Sequence, residues 1–225
     1  VKAYADGINA VAIAANSNAT GANSMAFGVD SIANKINTVA LGTKAIASGD
    51  GALSFGANAQ ATALDTMAFG VNALASQGNA TAIGRDAQAT STNAIAVGLF
   101  SKASGNVAVA IGMNSTALAN ESMAIGAFAN SSENNGLALG TNAQAIAVNA
   151  MALGTESYAN TLDAFAAGLR SRATGVNSMA LGMLSNASNT NAFSAGSCAN
   201  ALGINSLAYG TQAYANAGNS MATGT

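Results

Sequence analysis

The sequence predicts an all-β chain, a single-stranded parallel β-solenoid of sixteen turns with fourteen residues in each. Three observations carry this. Glycine recurs every fourteen residues without a break from Gly28 to Gly224, with Ala14 in the first place of the series. Very small residues hold fixed places between those glycines. The charged residues keep to a fixed part of the period.

The slots of one turn are numbered 1 to 14, with the serial glycine in slot 14. Slot 5 is Ala in every turn but one, where it is Ser131. Slots 3 and 12 are always Ala or Ser, and slot 10 is Ala, Ser, Thr or Gly. All 7 Lys and Arg and all 9 Asp and Glu fall outside slots 3, 5 and 10 to 14. Side chains of those types are almost never buried, so the charge-free part of the period is expected to be buried.

Fourteen is also two heptads, and a coiled coil must be weighed. A glycine in each pair of heptads would cost about 1 kcal/mol apiece in a helix. The large apolar residues of slots 11 and 13 would lie on opposite sides of a helix, and the flanking charges of a coiled coil are missing. A strand instead places slots 11 and 13 on one face and slots 10 and 12 on the other. Two strands per turn follow, over slots 2 to 6 and 10 to 13. Turns fall at slots 7 to 9 and at 14 to 1. Gly in slots 7 and 14 suits positive φ, and the frequent Asn of slot 9 tolerates it. In a parallel stack those asparagines are expected to form a ladder.

The small residues of slots 3, 5, 10 and 12 fill a thin interior, which leaves no room there for Met, Phe or Leu. Slots 11 and 13 must therefore point outward. Of those positions, only Thr81, Ala167, Ala195 and Thr223 are not large and apolar. Such a strip exceeds what a soluble monomer exposes. Burial of each large side chain is worth about 1.5–3 kcal/mol. A closed homo-oligomer follows, of two copies or three. The expected interface is Met25, Phe27, Val39, Leu41, Leu53, Phe55, Met67, Phe69, Ile95, Val97, Val109, Ile111, Met123, Ile125, Leu137, Leu139, Met151, Leu153, Met179, Leu181, Leu207 and Tyr209. Slots 2, 4 and 6 make the opposite, solvent-facing side, with Lys44, Asp86, Gln60 and Lys102 among its varied residues. Tyr158, Arg170 and Arg172 fall on it in adjacent turns and are candidate ligand contacts.

The composition excludes several functions. The chain has no His and one Cys, and no carboxylate pair repeats at one place, so it is expected not to be an enzyme. Its acidic residues are scattered over slots and turns, which argues against a metal site, and no motif calls for a cofactor. A net charge of −2 gives no footprint for nucleic acid. No apolar run is long enough to span a membrane. Cys198 in slot 2 is expected to be an incidental exposed thiol. The repeat runs to both ends of residues 1–225, so the chain reads as one repeat domain cut from a longer protein.

The phrases NSMAFG (23–28), NSMALG (177–182), NSLAYG (205–210) and NSMATG (219–224), with Ser31 and Ser185 three residues after the first two, carry a resemblance. The chain resembles the YadA-like heads of trimeric autotransporter adhesins over all sixteen turns. The resemblance implies a left-handed parallel β-roll and a homotrimer. It implies a bacterial cell-surface location, with membrane attachment only through a C-terminal anchor absent from this sequence. It implies adhesion to a host extracellular-matrix protein, of the collagen, fibronectin or laminin class, or to a cell-surface receptor. The best-matching turns, Asn23–Gly28 with Ser31 and Asn177–Gly182 with Ser185, are then candidates for contact. Met replaces the family's Val in many slots 11, which softens the oligomer core. Two other functions fit a solenoid: a passive spacer, and an ice-binding surface. The latter needs a ladder of one residue type, which slots 2, 4 and 6 lack.

Overall fold

A computed structural model of the chain describes residues 2–224. It divides into two compact units, Val1–Asn114 and Ser115–Thr225. In the first unit, two-residue strands run from Tyr4–Ala5 to Lys102–Ala103 and three-residue strands from Val11–Ile13 to Val109–Ile111. In the second, the corresponding series are Thr116–Ala117 to Tyr214–Ala215 and Met123–Ile125 to Met221–Thr223. Within each unit the two kinds of strand form separate sheets. Every strand pairs in parallel with its counterpart in the next turn, as Ile32 with Ile46, Met67 with Thr81 and Phe165 with Met179. Each unit is therefore a parallel β-solenoid, as the period predicts.

The small residues explain the closeness of the two sheets. Ala45, Ala47, Ala52 and Ser54, from slots 3, 5, 10 and 12, are all fully buried. A methyl or hydroxyl is all the interior admits. Slots 11 and 13 lie on the outer side of the three-residue sheet, so the charge-free slots are not all buried within one chain.

The strands are shorter than expected, covering slots 4 to 5 and 11 to 13. Slot 2, expected on the outer face of a strand, is instead a turn residue with left-handed backbone. Lys44, Phe100, Arg170, Leu184 and Cys198 all have φ between 55° and 58°. Slot 9 adopts the same conformation, as at Asn23 and Asn37. The glycines of slot 7 do not use positive φ, contrary to expectation. A Cβ on Gly21 would strike the carbonyl oxygen of Lys35 in the next turn, and close backbone approach explains these glycines.

Slots 2 and 9 are seven apart, and so are other equivalent places. Ser31 in slot 3 donates its hydroxyl to the carbonyl of Gly28 at 2.8 Å; Thr38 in slot 10 donates to that of Lys35 at 2.7 Å. The Ser31 N–H also closes onto the Gly28 carbonyl at 3.2 Å, and that of Gly136 onto Glu133 at 3.2 Å. Each turn is thus two similar halves of seven residues, each ending in a tight turn whose third residue has positive φ. One half carries the varied outer residues, the other the large apolar ones.

The asparagine ladder forms as expected in slot 9. The amide of Asn9 donates to Asn23 at 3.1 Å, Asn23 to Asn37 at 3.1 Å and Asn191 to Asn205 at 2.9 Å. A second ladder runs along slot 2, where Asn16 donates to Asp30 at 2.9 Å and Asn72 to Asp86 at 2.9 Å. Val107 occupies slot 9 with φ 57° despite its branched Cβ. Left-handed backbone costs such a residue about 1–2 kcal/mol. Val107→Asn is expected to stabilise the chain by about 1 kcal/mol in chemical denaturation.

Ser131, the one slot 5 residue that is not Ala, sits fully buried with its hydroxyl oxygen unpartnered. Slot 10 of the same turn is Gly136, and a Cβ there would lie 2.5 Å from the Ser131 Oγ. The missing methyl makes space for the extra oxygen. Gly136→Ala alone is expected to cost about 1–3 kcal/mol by overpacking. Made together with Ser131→Ala it is expected to cost nothing. A denaturation double-mutant cycle reads this coupling directly.

Candidate functional surfaces

The three-residue sheet presents its large side chains outward in both units. All the residues expected at the interface lie on this face. Met25, Phe27, Leu139 and Tyr209 are exposed, while Leu53, Phe69 and Leu181 are half-buried by the residues above and below them. That axial packing is close: the rings of Phe55 and Phe69 stack with centroids 4.6 Å apart and planes 6° from parallel.

Apolar residues also occupy slots 1 and 8, at the two corners beside this face. Ile36, Leu64, Leu162 and Ile204 in slot 8 are exposed, as are Val29, Leu169 and Met183 in slot 1. The sequence reading missed these columns. Their signal was present: turn positions favour polar residues, yet Val, Leu, Ile and Met keep returning there.

On the opposite sheet and its corners the outer residues vary. Tyr158 pairs in register with Arg172, whose guanidinium carbon stands 4.9 Å from the centre of the Tyr158 ring. Arg170 does not join them. It lies at the slot 2 corner, where its Nε donates to Glu156 at 2.6 Å and an Nη at 3.4 Å. The structure therefore brings two of the three candidate contacts together and turns the third to a carboxylate. In the first unit, Arg85 stands 5.9 Å from the Phe100 ring centre and also pairs with Asp86 at 3.3 Å. Cys198 is half-exposed in a slot 2 turn, and its carbonyl accepts from the Asn200 amide at 2.8 Å.

The hydrogen bond from Arg170 holds the Glu156 carboxyl below the ordinary glutamate range, and the same bond raises Arg170 above its own. A carboxyl depressed in the folded state adds stability above its unfolded pKa and loses it as pH falls through the folded value. Arg170→Gln is expected to return Glu156 to ordinary titration. NMR titration of the Glu156 side chain checks this, and the pair being solvent-exposed, overall stability should barely move.

Among the described residues no three His, Cys, Asp or Glu gather as metal ligands. The two broad faces are the features a function must use. The YadA head domain repeat (2 copies) matches residues 5–31, 19–45, 33–59, 47–73, 61–87, 89–115, 117–143, 145–171, 173–197 and 201–225. The chain belongs to the YadA head repeat family. A function of adhesin type follows from this membership. The crystal structure of the collagen-binding domain of the Yersinia adhesin YadA is similar at 35% sequence identity, covering 62% of this chain and 70% of that one, with a TM-score of 0.47. No curated protein matches this YadA-like chain.

Proposed function

We propose that the chain is the head of a bacterial surface adhesin that works as a homotrimer and attaches to a host extracellular-matrix protein or cell-surface receptor. In the full-length protein it is held outside the cell by an outer-membrane anchor. The observation that carries the reading is the YadA head repeat, matched in successive windows from residue 5 to residue 225. Two features of the faces support it. Slots 11 and 13 never carry a charge, although their side chains are exposed or half-buried in a single chain; the absence of charge at an exposed place fits a face that other copies cover. Slots 2, 4 and 6 present varied groups at a constant step on a stiff scaffold. Weak contacts repeated along one extended ligand gain strength by avidity.

The test is binding of the whole chain to immobilised collagen, fibronectin and laminin, beside variants lacking one or more complete turns. The expected result is binding to at least one ligand that falls stepwise as turns are removed. Failure with all three ligands by an assembled trimer would favour the spacer reading. Abrupt loss on a single substitution would refute the distributed surface.

A further inference from the structure

The apolar face of the second unit contains an inversion of size. Four of the eight turns there place Met or Leu in slot 11 and Leu or Ile in slot 13, as in Met151 with Leu153 and Met179 with Leu181. Two turns reverse the order: Phe165 stands beside Ala167, and Phe193 beside Ala195. Ala195 pairs between Leu181 and Tyr209. A notch of about 370 Å³ opens there, walled by Leu181 and Tyr209 and bordered by the slot 14 glycines. Phe193 is not among its lining residues, although it lies two residues away on the same strand. The ring leaves the hole in its own chain open.

We infer that this notch receives the Phe193 ring of a second copy, and that the pairing fixes the register in which copies align. The inference rests on the homotrimer reading above. In a cyclic assembly equivalent atoms share one height along the axis. With the axis along the stacking direction, the strands run around it, and the slot 13 end of one copy meets the slot 11 end of the next. The Ala195 notch of one copy then faces the partner's Phe193 at its own level. Each copy gives one ring and receives one.

A repetitive face needs such a key. Where Met and Leu repeat, sliding one copy by a turn replaces each contact with a nearly identical one. The inversion breaks that degeneracy. A one-turn slip drives the Phe193 ring against Leu181 or Tyr209 and leaves the notch void. The two inversions lie two turns apart, so a two-turn slip sets only one of the two rings against an alanine and puts the other against Leu139 in one direction or Thr223 in the other. Wrong registers are penalised as well as the right one favoured.

The experiment uses the whole chain and measures mass by light scattering across a dilution series. The unaltered chain is expected at three times its 21.7 kDa mass. Ala195→Phe is expected to weaken assembly by about tenfold to a hundredfold, because two rings then compete for one space. Combining it with Phe193→Ala exchanges ring and methyl, and is expected to restore assembly. An Ala195→Phe chain that assembles as tightly as the original, or an exchange as weak as Ala195→Phe alone, overturns the key. An unaltered chain that stays monomeric overturns the trimer reading itself.

Discussion

Replacing Gly168 with alanine is expected to destabilise the chain by roughly 3–5 kcal/mol, a large effect for a single methyl group. Two independent causes act there. Gly168 has φ 135°, a conformation that costs an L side chain dearly. A Cβ would also stand 2.5 Å from the carbonyl oxygen of Gly182 in the next turn and 2.6 Å from its carbon. Those atoms are backbone and cannot rotate aside. The place is also a junction: the Gly168 N–H donates to Leu153 at 2.8 Å, and its carbonyl accepts from the Ser171 N–H at 3.3 Å and from the Ser171 hydroxyl at 3.1 Å. Chemical denaturation gives the cost, and amide exchange at Ser171 and Gly182 shows whether the loss is local, as stacked repeats allow. Ala14 offers the converse. It holds the same slot with φ 98°, and Ala14→Gly is expected to stabilise by about 1 kcal/mol.

Leu139→Asp is expected to leave the single chain folded and to abolish its assembly. Leu139 is 44% exposed in one copy, so a carboxylate there keeps much of its hydration. At the centre of a trimer three such groups would face one another without partners, at several kcal/mol each. Light scattering should return the monomer mass, with the β signal in circular dichroism unchanged. Gln144→Asp on the opposite, exposed side of the same unit is the control and should not alter the mass. A trimer that survives Leu139→Asp would show that the face is not interior.

Much of this was legible in the sequence because the interior tolerates so few residue types. Ala47 and Ser54 could be placed inside from recurrence alone, and the slot 9 ladder from the repetition of Asn23, Asn37 and Asn93. The slot 2 turns were hidden for the opposite reason. Phe100, Arg170, Leu184 and Cys198 have nothing in common as residue types, because each donates its backbone N–H to a carbonyl of the preceding turn, as Arg170 does to Thr155 at 2.9 Å, whatever the side chain. Arg170 was consequently placed on the sheet beside Arg172, when it lies on a corner with Glu156. The slot 7 glycines misled in a different way. Glycine answers both to positive φ and to crowding, and a sequence does not say which. The corner residues of slots 1 and 8 were passed over because turns are ordinarily read as solvent.

The fourteen-residue step has a genetic consequence. Within each unit, a turn's backbone partners are only the turns before and after it. An in-frame duplication of fourteen codons inserts a turn whose partners are already matched, while a gain or loss of one codon sends every following side chain to the wrong face. Recombination between near-identical repeats can therefore lengthen or shorten the head in whole steps and still yield a foldable product. The reach of the molecule is open to change by copy number, independently of the point mutations that alter what its outer face touches.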